Sequence, residues 1–153
     1  MLLTNSFKRD GVPFESIANL KLFSFNVFRV SGTSLKVLKE KNYKLAILSN
    51  GTPHLLNGLV RNNKLENLFD DLFSIEEVGI YKPDSKVYDL PIKKYKIEKN
   101  EVAFLSANTW DVSGGGNYGF NSIWVNRNNS IFDNLDYKPQ NEIKDLSELT
   151  KLI

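Results

Sequence analysis

The feature that most constrains this chain is the alternation of short apolar runs with helical patterns. Three runs, 44–48, 102–105 and 122–125, are rich in β-prone apolar residues and lack the in/out alternation of a half-exposed strand. Strands that are apolar on both faces are covered by helices on both faces, as in parallel sheets with right-handed crossovers. The sequence therefore predicts an α/β fold with a parallel sheet.

The segments between these predicted strands carry helical patterns. Residues 53–62 begin with a proline, which suits a first helical position, and residues 85–95 form a second pattern. The glycines at 114–116 and 119 predict a short helix packed close to the sheet, and residues 145–153 predict a closing helix. The apolar face of the first helix is predicted to consist of Leu55, Leu56, Leu59 and Val60.

Composition argues against several classes of function. The 153 residues suffice for one ordinary hydrophobic core, so we expect one domain. The 20 basic and 18 acidic residues are spread along the chain, and a net charge of +2 does not predict a nucleic-acid partner. The chain has no cysteine, which excludes disulfides and thiolate chemistry and permits the cytoplasm, the predicted location. Polar residues interrupt the apolar stretch 20–28, so neither a signal peptide nor a membrane span is predicted.

The single histidine, His54, gives little support for Ser-His-Asp chemistry, because no Gly-x-Ser-x-Gly pattern accompanies it. We predict that His54 is exposed on the first turn of a helix. The basic run 93–99 contains an acidic residue and follows a predicted helix, so we interpret it as a solvated surface.

Polar clusters follow the predicted strands, at the edge where open α/β sheets place their ligands. The first begins with Ser49 and Asn50 and continues through Gly-Thr-Pro; it suits either an anion site or an ordinary turn with a helix cap. The second contains Lys82, just before a predicted helix that includes Tyr88. Its lysine either reaches across the sheet or is exposed to solvent, as lysines usually are.

A third cluster runs directly out of an apolar strand and contains Ser106, Asn108 and Asp111. The position of Asp111 would allow its carboxylate to meet the ammonium of Lys82. This density of polar side chains is unusual for a plain connection between a strand and a helix.

Taken together, the motifs resemble those of type II L-2-haloacid dehalogenases, in the haloacid dehalogenase superfamily. Leu-Ser-Asn-Gly-x-Pro, Tyr-Lys-Pro-Asp-x-x-Val-Tyr and Ser-x-Asn-x-Trp-Asp occur in that order, followed by Trp-Val-Asn-Arg at 124–127. The resemblance covers residues 35–153 and implies the C-terminal part of a Rossmann-like, three-layer core. It implies a hydrolase that converts a 2-haloalkanoate to the inverted 2-hydroxyalkanoate and halide through an aspartyl ester.

The resemblance also assigns roles to the clusters. Ser49 and Asn50 would bind the substrate carboxylate and help to form the halide site. Lys82 would keep the nucleophilic carboxylate ionised, with Tyr88 shaping its surroundings. The remaining three residues would place the lysine and the hydrolytic water: Ser106, Asn108 and Asp111. No cofactor is expected, and no metal, because metal-dependent relatives usually carry paired acidic residues in the third cluster.

The family's first motif, Asp-x-x-x-Thr after an N-terminal strand, is not recognisable here. Asp10 has neither a preceding apolar strand nor a threonine four residues later, and neither Arg9 nor Arg29 matches the substrate-binding arginine of the family's cap. Residues 1–34 resemble only the return from cap to core. A truncated gene, an incomplete gene model and completion by another chain remain open explanations. Loss of the central strand is expected to leave strand edges unpaired.

Two other functions remain open beside the dehalogenase. One is a non-catalytic truncated fragment or interaction module, whose exposed sheet edges recruit a partner. The other is a phosphatase of the same superfamily. For the leading hypothesis the partner is a small 2-haloalkanoate, and the resemblance suggests a homodimer.

Overall fold

The computed structural model describes residues 2–5, as backbone, and residues 32–152. The strands are β1 (Leu2–Asn5), β2 (Tyr43–Ser49), β3 (Asp71–Ser74), β4 (Val102–Ser106), β5 (Asn121–Val125) and β6 (Asn141–Ile143). The helices are α1 (Gly32–Glu40), α2 (Pro53–Asn62), α3 (Ser85–Tyr95) and α4 (Thr109–Tyr118). Short 3-10 helices cover Ile75–Glu77, Lys99–Glu101 and Glu148–Lys151. None of the described helices is long and apolar enough to cross a membrane.

One sheet with the strand order β3-β2-β1-β4-β5-β6 forms the centre of the fold. Strand β2 pairs with β3 in parallel, and β4, β5 and β6 form a second parallel group. Strand β1 lies between the two groups and runs antiparallel to both β2 and β4. The predicted parallel α/β fold is therefore confirmed, with one antiparallel strand at its centre.

The expectation that β2 and β4 would have unpaired inner edges was wrong over most of their length. Residues Leu2–Asn5 pair with Tyr43 to Ala46 of β2, and Leu2 to Thr4 pair with Val102 to Phe104 of β4. Backbone N–H and C=O groups are costly to leave unpaired in an interior, and any short extended segment can satisfy them. A strand of this kind carries no sequence signal for its direction.

Each face of the sheet is covered by its own apolar core, which explains the absence of alternation in the strands. On one face, Leu45 and Ile47 of β2 pack with residues of α1 and α2. On the other, Ala46 and Leu48 of the same strand pack with residues of α3, including Tyr88. Successive side chains of a strand point to opposite faces, so both sets are apolar only when helices cover both sides.

Helices α2 and α3 have the predicted bounds, but other predictions were wrong. Leu55 is 51% exposed and lies outside the apolar face of α2, which uses Leu56, Leu59 and Val60. The closing helix of residues 145–153 reduces to the 3-10 turn Glu148–Lys151. Strands β3 and β6 were not predicted, because segments of four and three residues are too short for a periodic signal. His54 is exposed, as predicted.

The glycines of α4 allow the close approach to the sheet that the sequence predicted. A Cβ atom at Gly115 would lie 2.5 Å from the ring of Phe104 in β4. At Gly116 it would collide with the ring of Tyr137, from the loop between β5 and β6. Gly115 therefore lets α4 approach β4, and Gly116 lets that loop approach α4, at separations that a side chain would not permit.

Asp70, just before β3, joins three parts of the fold at the opposite end of the sheet from the polar clusters. Its carboxylate accepts hydrogen bonds from Lys39 at 2.8 Å, Lys44 at 3.1 Å and the backbone N–H of Leu45 at 2.8 Å. Burial raises the pKa of Asp70, but these hydrogen bonds and charges outweigh it and leave the pKa lowered.

We expect Asp70→Asn to lower the free energy of unfolding at neutral pH by about 1.5–3 kcal/mol, the range for hydrogen bonds to a charged group. Because the folded pKa is lowered, this stabilisation is present above the ordinary carboxyl pKa and is lost as the pH falls through the folded pKa. Urea unfolding of both proteins across acidic pH measures the difference. Glu66→Gln, at an exposed position nearby, is the control; an equal loss in both variants would contradict the role of Asp70.

Candidate active site

The three polar clusters meet at the C-terminal edge of the sheet, as their positions after β2 and β4 and before α3 predicted. Lys82 is the centre of the arrangement, and it is only 7% exposed. Its ammonium donates to Asp111 Oδ2 at 2.9 Å and to the backbone carbonyl of Leu48 at 3.3 Å. The interpretation of Lys82 as an exposed surface lysine is therefore wrong. This lysine bridges the ends of β2 and α4.

Asp111 and Tyr88 complete a buried group around the lysine. Asp111 is 1% exposed and Tyr88 is fully buried. The Tyr88 hydroxyl donates to Asp111 Oδ1 at 3.0 Å, so each carboxylate oxygen accepts one hydrogen bond from a different side chain. Helix α3 supplies the tyrosine and the first turn of α4 supplies the aspartate. The packing of these two helices therefore sets the geometry of the group.

Burial is the main cause of the electrostatic character of this group. It lowers the pKa of Lys82, because a low-polarity environment disfavours the ammonium, while the Asp111 carboxylate opposes that shift. Burial and then the charge of Asp111 raise the pKa of Tyr88, so the phenol stays protonated and acts as a donor. The ammonium also lies 5.7 Å from the ring of Phe104 and 6.0 Å from that of Trp110.

The first cluster forms a compact turn between β2 and α2. Ser49 is buried, and its Oγ accepts from the backbone N–H of Gly51 at 3.0 Å. Asn50 Oδ1 accepts from the backbone N–H of Lys82 at 3.0 Å, which ties the first cluster to the second. Thr52 caps α2 by accepting from Leu55 N–H at 3.3 Å. The turn and cap of the simpler reading are thus present, and they place Ser49 and Asn50 beside the lysine segment.

The third cluster is held by backbone contacts as well as side chains. Ser106 is 1% exposed, and its Oγ accepts from the backbone N–H of Asn108 at 3.1 Å. Asn108 occupies the N-cap position of α4, but its side chain makes no capping hydrogen bond. The indole N–H of Trp124 in β5 donates to the carbonyl of Ala107 at 3.2 Å. This hydrogen bond holds the loop between β4 and α4.

Sequence reasoning missed three parts of this site. The carbonyl of Leu48 carries no side-chain signal at all. Trp124 belongs to a recognised motif, but its contact with Ala107 depends on the pairing of β4 with β5. Gly114 was interpreted only as a close-packing glycine, yet a Cβ there would lie 2.6 Å from the Tyr88 hydroxyl and 2.8 Å from Pro83 Cβ. The bare backbone at Gly114 makes room for the tyrosine that binds Asp111.

The donor set of the site suits hydrogen bonding better than divalent-metal binding. Among residues 32–152, no cluster of three His, Cys, Asp or Glu side chains could hold a metal ion. Asp111 is the acidic residue of the third cluster, and both its oxygens already accept hydrogen bonds from Lys82 and Tyr88. Magnesium prefers several oxygen ligands with open coordination positions.

The fold and the site together are an open α/β sheet with a buried lysine–carboxylate pair at its C-terminal edge, the edge at which such sheets bind their ligands. Comparison with known proteins gives the family: a profile described as haloacid dehalogenase-like hydrolase matches residues 18–125. The chain belongs to this family. It is 38% identical over 117 residues to an (S)-2-haloacid dehalogenase of Pseudomonas putida, covering 76% of this chain and 52% of the relative. The identity to the (S)-2-haloacid dehalogenase of Pseudomonas sp. strain YL is 36% over 119 residues, covering 78% and 51%.

Solved structures show the same relationship. A crystallised L-2-haloacid dehalogenase is 31% identical, with a TM-score of 0.75, covering 86% of this chain and 56% of that one. The L-2-haloacid dehalogenase of Xanthobacter autotrophicus is 27% identical, with a TM-score of 0.71, covering 79% and 58%. The predicted family and core fold are confirmed. The chain spans about half the length of the relatives it matches.

We expect Gly114→Ala to lower the free energy of unfolding by about 1–3 kcal/mol, the usual cost of overpacking. The added methyl group would force Tyr88 or Pro83 to move and would weaken the hydrogen bond from Tyr88 to Asp111. Urea unfolding measures the loss.

The matched control is Gly58→Ala, in α2, where a Cβ meets nothing within 4 Å. That change is expected to stabilise the helix by roughly 0.5–1 kcal/mol. If Gly114→Ala were as stable as Gly58→Ala, the space at Gly114 would have no role in positioning Tyr88.

Proposed function

We propose that this chain is the part of an (S)-2-haloacid dehalogenase that supplies the lysine, the aspartate and the substrate-binding turn. A carboxylate nucleophile outside the described residues completes the site. The observation that carries the proposal is the buried contact of Asp111 with both Lys82 and Tyr88, in a chain similar to enzymes of that name. The substrate is a small 2-haloalkanoate.

The proposed reaction has two steps. In the first, a carboxylate oxygen of the nucleophile attacks C2 of the substrate; the carbon–halogen bond breaks and halide leaves with the electron pair, inverting the carbon. In the second, water adds to the carbonyl carbon of the ester, and the bond between that carbon and the substrate oxygen breaks. One proton of the water ends on the departing substrate oxygen and the other passes to a base, so the products are the 2-hydroxyalkanoate and the regenerated carboxylate.

Lys82 has the properties needed to hold the nucleophile. An ammonium has three donors, and two are used by Asp111 and Leu48. Within the part of the chain that the structure describes, one donor therefore remains for a second carboxylate, whose ionised form the positive charge would favour by about 1–3 pKa units. Because the lysine is buried, this interaction is weakly screened by solvent.

The remaining residues would bind substrate and water. We assign Ser49 and Asn50 to the substrate carboxylate and halide, because their turn lies against the lysine segment. Asn108, whose side chain is not used as a helix cap, would contact the water or substrate. Asp111 would hold Lys82 in place, and its oxygens keep further acceptor positions through which it could orient the hydrolytic water.

The test is halide release from (S)-2-chloropropionate by the chain alone and by a longer polypeptide. The longer form joins the chain to the part of the Pseudomonas putida relative that it does not cover. We expect release only from the longer form. No halide release from either form would contradict the proposal, provided that circular dichroism shows a folded core.

In the active form, Lys82→Met is expected to reduce halide release by about 10²–10⁴-fold, the range for a group that stabilises a reacting charge. Lys86→Met, an exposed lysine four residues further along, is the control and should retain full activity. Lys82→Met leaves Asp111 as an uncompensated buried charge, so Lys82→Arg is measured beside it. Equal activity of the Lys82→Met and Lys86→Met proteins would show that Lys82 has no role in the reaction.

The pH dependence gives an independent measurement. Burial lowers the pKa of Lys82, so the ammonium is lost at a lower pH than the value of about 10.4 for a free lysine. The rate of halide release should therefore decline as the pH rises, and the decline should begin below that value. Lys82→Arg keeps its charge throughout this range, and its residual activity should lack the fall. An unchanged alkaline limb in Lys82→Arg would show that another group titrates.

A non-catalytic role for the chain on its own is supported by one observation. Residues Leu2–Asn5 occupy the centre of the sheet in a direction opposite to its other strands. The single acidic residue of the third cluster gives less support to a phosphatase. The homodimer and the cytoplasmic location stay predictions from the resemblance and the composition.

A further inference from the structure

A cavity of about 430 Å³ lies at the C-terminal ends of β4 and β5, which are parallel neighbours in the sheet. It is lined by the start of α4 and by the loop between β5 and β6. Its volume is in the range of small-molecule sites, and it lies at the edge where open α/β sheets bind their ligands. We therefore considered what this cavity could bind.

Arg127 supplies a cation to this cavity. It lines the cavity and is half-buried, and burial lowers the pKa of its guanidinium because the charged form loses solvation. Among the described residues, the charge of Asp145 opposes this shift, but no hydrogen bond to Arg127 contributes. The Asp145 carboxylate instead accepts from the backbone N–H of Ser147 at 2.6 Å. Arg127 is therefore a partly desolvated cation with N–H donors to offer a ligand.

Exposed apolar side chains line the same cavity. Trp110 is 41% exposed and Ile131 is 92% exposed, and both are lining residues. Apolar surface beside a small number of polar groups is the usual composition of a small-molecule site. A ligand in this cavity would therefore meet an apolar surface as well as the guanidinium of Arg127.

The other polar groups of the cavity limit the charge of its ligand. Asn108 and Asn128 line the cavity and carry amide donors, and the Asn108 side chain is not used to cap α4. Asp133 also lines the cavity, and its Oδ2 accepts from the hydroxyl of Thr109. This nearby carboxylate disfavours a ligand with several negative charges. A single carboxylate, in contrast, can be satisfied by one guanidinium and the amides.

We propose that this cavity binds a monocarboxylate with a short apolar body. The planar guanidinium of Arg127 binds the carboxylate, whose geometry it matches, and the apolar body lies against Trp110 and Ile131. Arg127 follows β5, whereas Lys82 contacts β2 and α4, so the two cations serve separate sites. The binding site does not rest on the proposed function. Where that function holds, the 2-hydroxyalkanoate product belongs to the same chemical class.

Intrinsic fluorescence measures the occupancy of the cavity, because the two tryptophans of the chain, Trp110 and Trp124, both line it. The probe is butyrate, added to the full 153-residue chain at constant ionic strength, with butyramide as its uncharged match. We expect a saturable change in emission with butyrate and none with butyramide. Butyrate should also bind about tenfold more tightly than acetate, since each buried CH₂ contributes about fourfold. No saturable change with butyrate, or equal affinities for butyrate and butyramide, would overturn the site.

Arg127→Gln tests the cation. The change removes the charge and should weaken butyrate binding by about 10–100-fold, the effect of losing a hydrogen bond between charged groups. Arg61→Gln, at an exposed position in α2, makes the same change of charge and is the matched control. Its affinity for butyrate should equal that of the unchanged chain. Urea unfolding checks that both variants are folded. Equal affinities of the two variants for butyrate would exclude Arg127 from the site.

Ile131→Ser tests the apolar contact without disturbing the core, because Ile131 is 92% exposed. The variant should bind acetate as tightly as the unchanged chain does. Its affinity for butyrate should fall by about fourfold, the contribution of about one buried CH₂. If the ratio of the butyrate affinity to the acetate affinity stayed the same, the apolar body would not lie against Ile131.

A carboxylate bound at the lysine site would also change the emission, because the Trp110 ring centroid lies 6.0 Å from Lys82 Nζ. Ser49→Ala, in the turn beside the lysine segment, separates the two sites. Full butyrate affinity in Ser49→Ala with loss in Arg127→Gln would support the cavity, whatever the result of the halide-release test. Full affinity in Arg127→Gln with loss in Ser49→Ala would overturn the cavity and would support the carboxylate role assigned to Ser49.

Discussion

The buried ion pair between Lys82 and Asp111 is the interaction on which the organisation of this sheet edge depends. Both side chains are nearly inaccessible, and removing one partner of such a pair typically costs about 3–5 kcal/mol because the other charge is left uncompensated. The pair can form only if β2, α3 and α4 are placed together. Asn50 holds the lysine backbone, Tyr88 holds the second oxygen of Asp111, and Gly114 makes space for Tyr88. The packing of these elements therefore places all the residues of the site together.

The strand pattern and the motifs made much of the fold and most of the site predictable. The apolar runs predicted three strands because burial on both faces removes the polar positions that would otherwise alternate. The clusters before α3 and after β4 predicted the meeting of Lys82 with Asp111, because polar residues of an open α/β sheet converge at the C-terminal edge of its parallel strands. Both inferences depend on local sequence and on one general rule of topology.

Other features could not be predicted, for identifiable physical reasons. The direction of β1 depends on which segment satisfies the inner edges of β2 and β4, and backbone hydrogen bonding is indifferent to side-chain pattern. Leu55 is apolar but exposed, because α2 packs on the core only through the narrower stripe of Leu56, Leu59 and Val60. The role of Gly114 becomes visible only when α3 and α4 are packed against each other. Each case involves a contact between segments that are distant in sequence.

The charge balance of the site explains why the proposed reaction would need residues other than those described. Lys82 and Asp111 neutralise each other, so a nucleophilic carboxylate and a carboxylate substrate would add two negative charges to a buried region. One ammonium donor and a few backbone N–H groups cannot offset both charges, since an unpaired buried charge is strongly unfavourable. For the proposed reaction, further positive charge would therefore have to come from a segment outside residues 32–152.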